Sequence, residues 1–128
     1  MIDAALFFAR LLIGALLVGG AVQKATAPDV PGGMLTGAGL PFALIWVALV
    51  YDALAGLALW LGVAVGPVAA SAAAYCAVTS FFHLAIFLET GDAWQMTIFV
   101  KNWAIAGGCL ALAVAGAGRW RIKAHTHA

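Results

Sequence analysis

Read for polarity alone, the chain is a succession of long apolar runs separated by short polar breaks. Residues 4–23 hold a single charge, Arg10, and at about 1.5 Å per residue they cross a hydrocarbon layer of about 30 Å. From Lys24 to Pro41 the prolines Pro28, Pro31 and Pro41 alternate with Gly32, Gly33, Gly37 and Gly39, which breaks any long helix. Its middle, residues 33–37, predicts no more than a short interfacial turn. The apolar run from Phe42 to Leu88 would be a helix of about 70 Å, so it must fold back. Glycine ends helices and proline starts them, which puts the corner at Gly66-Pro67 and gives spans 42–65 and 68–88. After the polar break Glu89-Thr-Gly-Asp-Ala93 comes the fourth span, 98–118. The pattern predicts an all-α integral membrane four-helix bundle, one domain over residues 1–128, with both termini on the same side.

Composition supports this reading. Hydrophobic residues make up 66% of the chain and charged residues 9%, and a mean hydropathy of +1.08 is too apolar for a water-facing surface. A net charge of +1 gives no field for nucleic acid, which is excluded as a partner. Met1-Ile2-Asp3 lacks the positive start of a signal peptide, so the first run is expected to stay as a span. Arg119, Arg121 and Lys123 outweigh Lys24 and Lys101, which favours cytoplasmic termini. Asp3, Arg10, Leu17 and Lys24 recur every seven residues, with Gly14 and Gly20 close by, and this face is expected to turn inward. Small residues from Ala69 to Ala74 and at Gly107-Gly108 suit close helix packing.

A charge within a membrane span is a functional hypothesis until it finds a partner. With the corner at Gly66-Pro67, Asp52 lies opposite Phe81, two positions from His83, and an Asp52–His83 pair is expected. The same reasoning brings Lys101 and Asn102 near the depth of His83 and leaves Arg10 about one turn from Asp52. Tyr75, Thr79 and His83 at fourfold spacing form a polar stripe. Asp52, His83 and Lys101 are the candidate catalytic residues; Arg10, Tyr75 and Asn102 are the candidate ligand-binding ones. Each has a plainer reading. Lys101 and Arg10 can snorkel to an interface, Arg10 and Asp52 can form a structural ion pair, and the hydroxyls can bond their own helix. A lone histidine is a poor metal or haem site, so neither is predicted. Cys76 and Cys109, at matching depth and outside any C-x-x-C motif, are small packers or a redox pair. The His125-Thr-His127 tail reads as a flexible end or, less simply, a metal site.

Taken in order, these features resemble the DoxX family, related to the DoxD-type subunits of thiosulfate:quinone oxidoreductase. The resemblance runs over nearly the whole chain. It rests on Arg10-x-x-x-Gly14, Gly20-x-x-x-Lys24, the loop ending Gly37-Ala-Gly-Leu-Pro41, Asp52-x-x-x-Gly56, His83 after two phenylalanines, and Lys101-Asn102 ahead of Gly107-Gly108. The span-two acid is more often glutamate in that family, and Asp52 shortens its reach. The resemblance implies a small four-helix protein of the bacterial inner membrane, tied in some members to oxidation of sulfur compounds with quinone as electron acceptor.

Three functions compete on the sequence. In the first, a quinone head group enters between the spans, hydrogen-bonds to Asp52, His83 and Lys101, and a partner protein bearing flavin, thiol or haem supplies electrons. In the second, the chain is a non-catalytic anchor or assembly subunit whose polar layer fixes helix register. The third is a carrier for a small solute or a proton, which a bundle this short would perform as a homo-oligomer.

Overall fold

Inside a bilayer no water is available to the backbone, so an apolar segment satisfies its amides by coiling into a helix. The computed structural model describes residues 1–122, and Lys123 and the His125-Thr-His127 tail lie outside the described residues. It contains α1 (Ile2–Thr26), α2 (Asp29–Gly37), α3 (Leu44–Leu61), α4 (Val65–Thr90) and α5 (Ala93–Ala115), with no strand among the described residues. All but α2 are long and apolar enough to cross a membrane. The protein is a multi-pass helical membrane bundle. Leu12, Val47, Leu54, Val78 and Val114 stay exposed on its outside, where lipid chains cover them.

The inward face of α1 carries Arg10, Gly14, Leu17 and Ala21, as the sevenfold spacing predicts. Gly14 and Gly56 let α1 and α3 touch backbone to backbone: a Cβ on Gly56 would stand 2.9 Å from the Gly14 carbonyl oxygen. On the other side α4 and α5 approach through Ala69, Ala72, Ala73 and Cys76 against Ala106, Cys109 and Leu112. These small side chains permit close helix approach where water exclusion offers no drive. α1 packs mainly on α3 and α4 mainly on α5, with thin contact between the two pairs. The Tyr51 hydroxyl bridges that seam to Ser71 Oγ at 2.8 Å.

Several boundaries correct the sequence reading. The corner between α3 and α4 falls at residues 62–64, not at Gly66-Pro67. Gly62 closes α3 in the left-handed region at φ 75°, and Ala64 follows at φ 46°. Pro67 instead sits in the first turn of α4, where the amide proton it lacks would have no partner in the helix. Moving the corner about one turn shifts the level of Asp52 from Phe81 to the neighbourhood of Tyr75. The polar break between α4 and α5 also shrinks to two residues, Gly91 and Asp92. Gly91, at φ 69°, ends α4, and Asp92 caps α5 by accepting from the Trp94 amide at 3.0 Å. Helix therefore begins at Ala93 and includes Gln95. The first loop holds a nine-residue helix, α2, seated where the Phe42 ring covers Gly32.

The two ends of the described chain meet. Arg119 donates from its backbone amide and from Nε to the Asp3 carboxylate, both at 2.9 Å. The Ile122 amide donates to the Leu61 carbonyl at 3.0 Å, which holds the segment after α5 against the end of α3.

Candidate functional site

Polar groups gather at two levels of the bundle instead of one. Near the chain ends, Arg10 is completely buried (0% exposed). Its Nη1 donates to the Leu59 carbonyl at 3.1 Å and its Nη2 to the Trp120 carbonyl, while the guanidinium lies 5.6 Å from the Phe7 ring centre. The last carbonyls of a helix carry partial negative charge, so a cation there is favourable, and the Leu59 oxygen accepts from Arg10 in addition to the Gly62 amide. Gly62 leaves room for the guanidinium. Arg10 is thus a clasp between α1, the end of α3 and the C-terminal segment, and the expected contact with Asp52 is not made.

Asp52 sits at the other level, about 12 Å along α3 from Leu44. It is 2% exposed, and its Oδ2 pairs with Lys24 Nζ at 2.6 Å. The expected Asp52–His83 pair is therefore replaced by Lys24–Asp52. Lys24 lies one turn nearer the end of α1 than Gly20, and helical side chains lean back toward their N-terminus, which carries the ammonium down to the carboxylate. Gly20 opens the space: a Cβ there would lie 2.9 Å from Asp52 Oδ2. The second carboxylate oxygen, Oδ1, is shut away with no hydrogen-bond partner.

His83, released from Asp52 by the shifted corner, meets Gln95 across the α4–α5 turn, with Nδ1 2.8 Å from Oε1. An amide oxygen only accepts, so Nδ1 donates in this bond and Nε2 is left free for a second partner. Gln95 went unnoticed in the sequence, although Asp92 followed three residues later by Gln95 is a capping-box spacing that announces an early helix start.

Between the helix pairs, at this level, is a cavity of about 590 Å³. Its walls are apolar, with Leu16, Leu17, Ile45, Phe82 and Ile98 from the spans and Val30, Pro31, Met34 and Leu35 from α2. Lys24, Asp52, Tyr75, Thr79, His83, Gln95 and Asn102 supply its polar lining. The structure thus brings together Asp52, His83, Tyr75 and Asn102 of the sequence-predicted residues, around a lysine that was assigned to the loop. Tyr75 packs against Tyr51 with ring centres 4.7 Å apart and planes inclined at 45°. Thr79 donates its hydroxyl to the Tyr75 carbonyl at 2.8 Å and lines the cavity together with Tyr75 and His83. Lys101 is exposed with Nζ 5.8 Å from the Trp94 ring centre, and it is absent from the lining. Snorkelling with a cation–π contact accounts for it. Cys76 and Cys109 are free, buried thiols within one apolar cluster.

Fold and site together define a four-span helical membrane protein with an apolar-walled cavity that ends in an ion pair. Compared with known proteins, the chain matches no family model, no curated protein and no solved structure.

Proposed function

We propose that the chain is a DoxX-like membrane subunit of a redox system that passes electrons to quinone, with the quinone head group in the Asp52 cavity. The observation that carries this reading is the cavity itself: about 590 Å³ of mostly apolar wall with charged and amide groups collected in its lining. That volume lies within the range of about 300–1,000 Å³ common for small-molecule sites. Phe82, Ile98 and Leu17 suit a ring and the start of an apolar tail, and the polar lining suits ring oxygens. A bound quinone supplies the electron-accepting chemistry, taking two electrons and two protons to become the quinol. The electrons come from a partner protein bearing flavin, haem or a dithiol, with a reduced sulfur compound as the donor upstream.

The chain's own contribution is binding and proton handling. His83, oriented by Gln95, offers Nε2 as a hydrogen-bonding and proton-transfer site. Asn102 and the Gln95 amide nitrogen offer donors that orient an oxygen, and the ion pair places charge at the cavity without adding net charge to the bilayer. The resemblance and the basic tail favour the bacterial inner membrane with cytoplasmic termini.

Gentle purification followed by extraction of bound lipophilic molecules tests the reading. Quinone near one equivalent per chain is expected. Extracts containing only phospholipid would remove it and leave the anchor reading in its place.

A further inference from the structure

We infer that Lys24 is the group that touches the ligand, and that Asp52 is a positioning residue behind it. This rests on the quinone reading for the identity of the ligand. The geometry separates the two members of the pair. Both oxygens of Asp52 are committed or closed off: Oδ2 is held by Lys24 at 2.6 Å and Oδ1 is buried without a partner. Its side chain is 3% exposed against 15% for Lys24, and both residues line the cavity. An ammonium has three protons, and Asp52 takes one in the hydrogen bonds described here.

The chemistry follows from that division. Lys24 can donate to an oxygen in the cavity while remaining bound to Asp52. A carbonyl oxygen accepts such a bond, and the bond strengthens as negative charge develops on that oxygen. Asp52 compensates the ammonium and directs it inward when it would otherwise snorkel away. Gly20 is part of the arrangement, since any side chain there would push on the carboxylate. The site is therefore built for a ligand with an exposed carbonyl oxygen at the end of an apolar body.

The intact protein in lipid nanodiscs, with a short-chain benzoquinone as probe, tests this in two ways. Lys24→Gln is expected to weaken binding about thirtyfold, the loss of a charge-assisted hydrogen bond, and Asp52→Asn about fivefold. Exchanging the charges, Lys24→Asp with Asp52→Lys, is expected to recover stability but not binding, whereas a purely structural pair would recover both. Amine-reactive labelling of the unmodified protein, read by mass spectrometry, needs no variant. The probe should lower labelling of Lys24 several-fold and leave Lys101 unchanged. Equal labelling with and without bound probe, or wild-type affinity in Lys24→Gln, overturns the role of Lys24 and leaves the quinone site standing. No binding of the benzoquinone by the wild-type protein overturns both.

Discussion

The two buried polar levels of this bundle solve the same problem in opposite ways. Arg10 and Asp52 are almost equally hidden, at 0% and 2% exposure, and each is a charge that hydrocarbon disfavours. Arg10 is answered by backbone carbonyls of Leu59 and Trp120 and lines no part of the cavity. Asp52 is answered by a flexible lysine beside a cavity, and each of the two ions keeps one buried polar atom unmatched, Arg10 Nε and Asp52 Oδ1. A charge closed off by backbone is architecture. A charge met by a flexible side chain next to open space can be used by a ligand, and the proposed placing of the ligand at the Asp52 end rests on that difference.

This contrast can be broken experimentally, and the largest effect is expected at the clasp. Arg10→Met removes the guanidinium's bonds to the Leu59 and Trp120 carbonyls and weakens the clasp of α1 on the end of α3, at a cost of about 3–4 kcal/mol. Denaturant titration in mixed micelles would read it, while quinone binding by the folded fraction stays near wild type. Loss of binding without loss of stability would reverse the roles assigned to the two ends. Next is Lys24→Met, which leaves Asp52 as an unpaired buried carboxylate and should cost about 3 kcal/mol. Adding Asp52→Asn should return most of that, because the charge needing compensation is gone; a strictly additive double variant would show that the pair is not coupled.

Gly56→Ala is expected to cost about 2 kcal/mol, since its Cβ would meet the Gly14 backbone carbonyl at 2.9 Å and the α1–α3 crossing would have to widen. A spin-label pair across that crossing should lengthen, and an unchanged distance would count against the tight packing described. Asp3→Asn should matter least. The Arg119 side chain is largely exposed, so the ion pair adds little stability and should fade further in high salt. Thermal unfolding at low and high salt would detect a larger role if one exists.

Much of the bundle was legible because hydrocarbon imposes a simple rule on length and polarity. The spans, the inward face of α1 and the alanine seam of α4 follow from it, whereas Gly107 and Gly108, expected at a packed face, lie exposed with nothing against them. The corner did not: Gly66-Pro67 has the residues of a turn, but Gly62 also satisfies a left-handed cap and leaves room for Arg10. A choice between two glycines a turn apart is made by what packs on them. That displacement carried Asp52 away from His83, and the early start of α5 at Ala93 gave His83 its partner in Gln95.

The amino-acid order by itself determined that this chain spans a membrane as helices and that Arg10, Asp52 and His83 would need answers inside it. Which answer each receives was decided by tertiary structure alone. Depth and facing in a helix hairpin change with every residue by which its corner moves, and a lysine reaches about 6 Å from its backbone. Lys24, expected on the inward face of α1 but at the very start of the loop, reached Asp52 on a neighbouring helix. Lys101, reckoned to the core, turned instead to Trp94 at the rim.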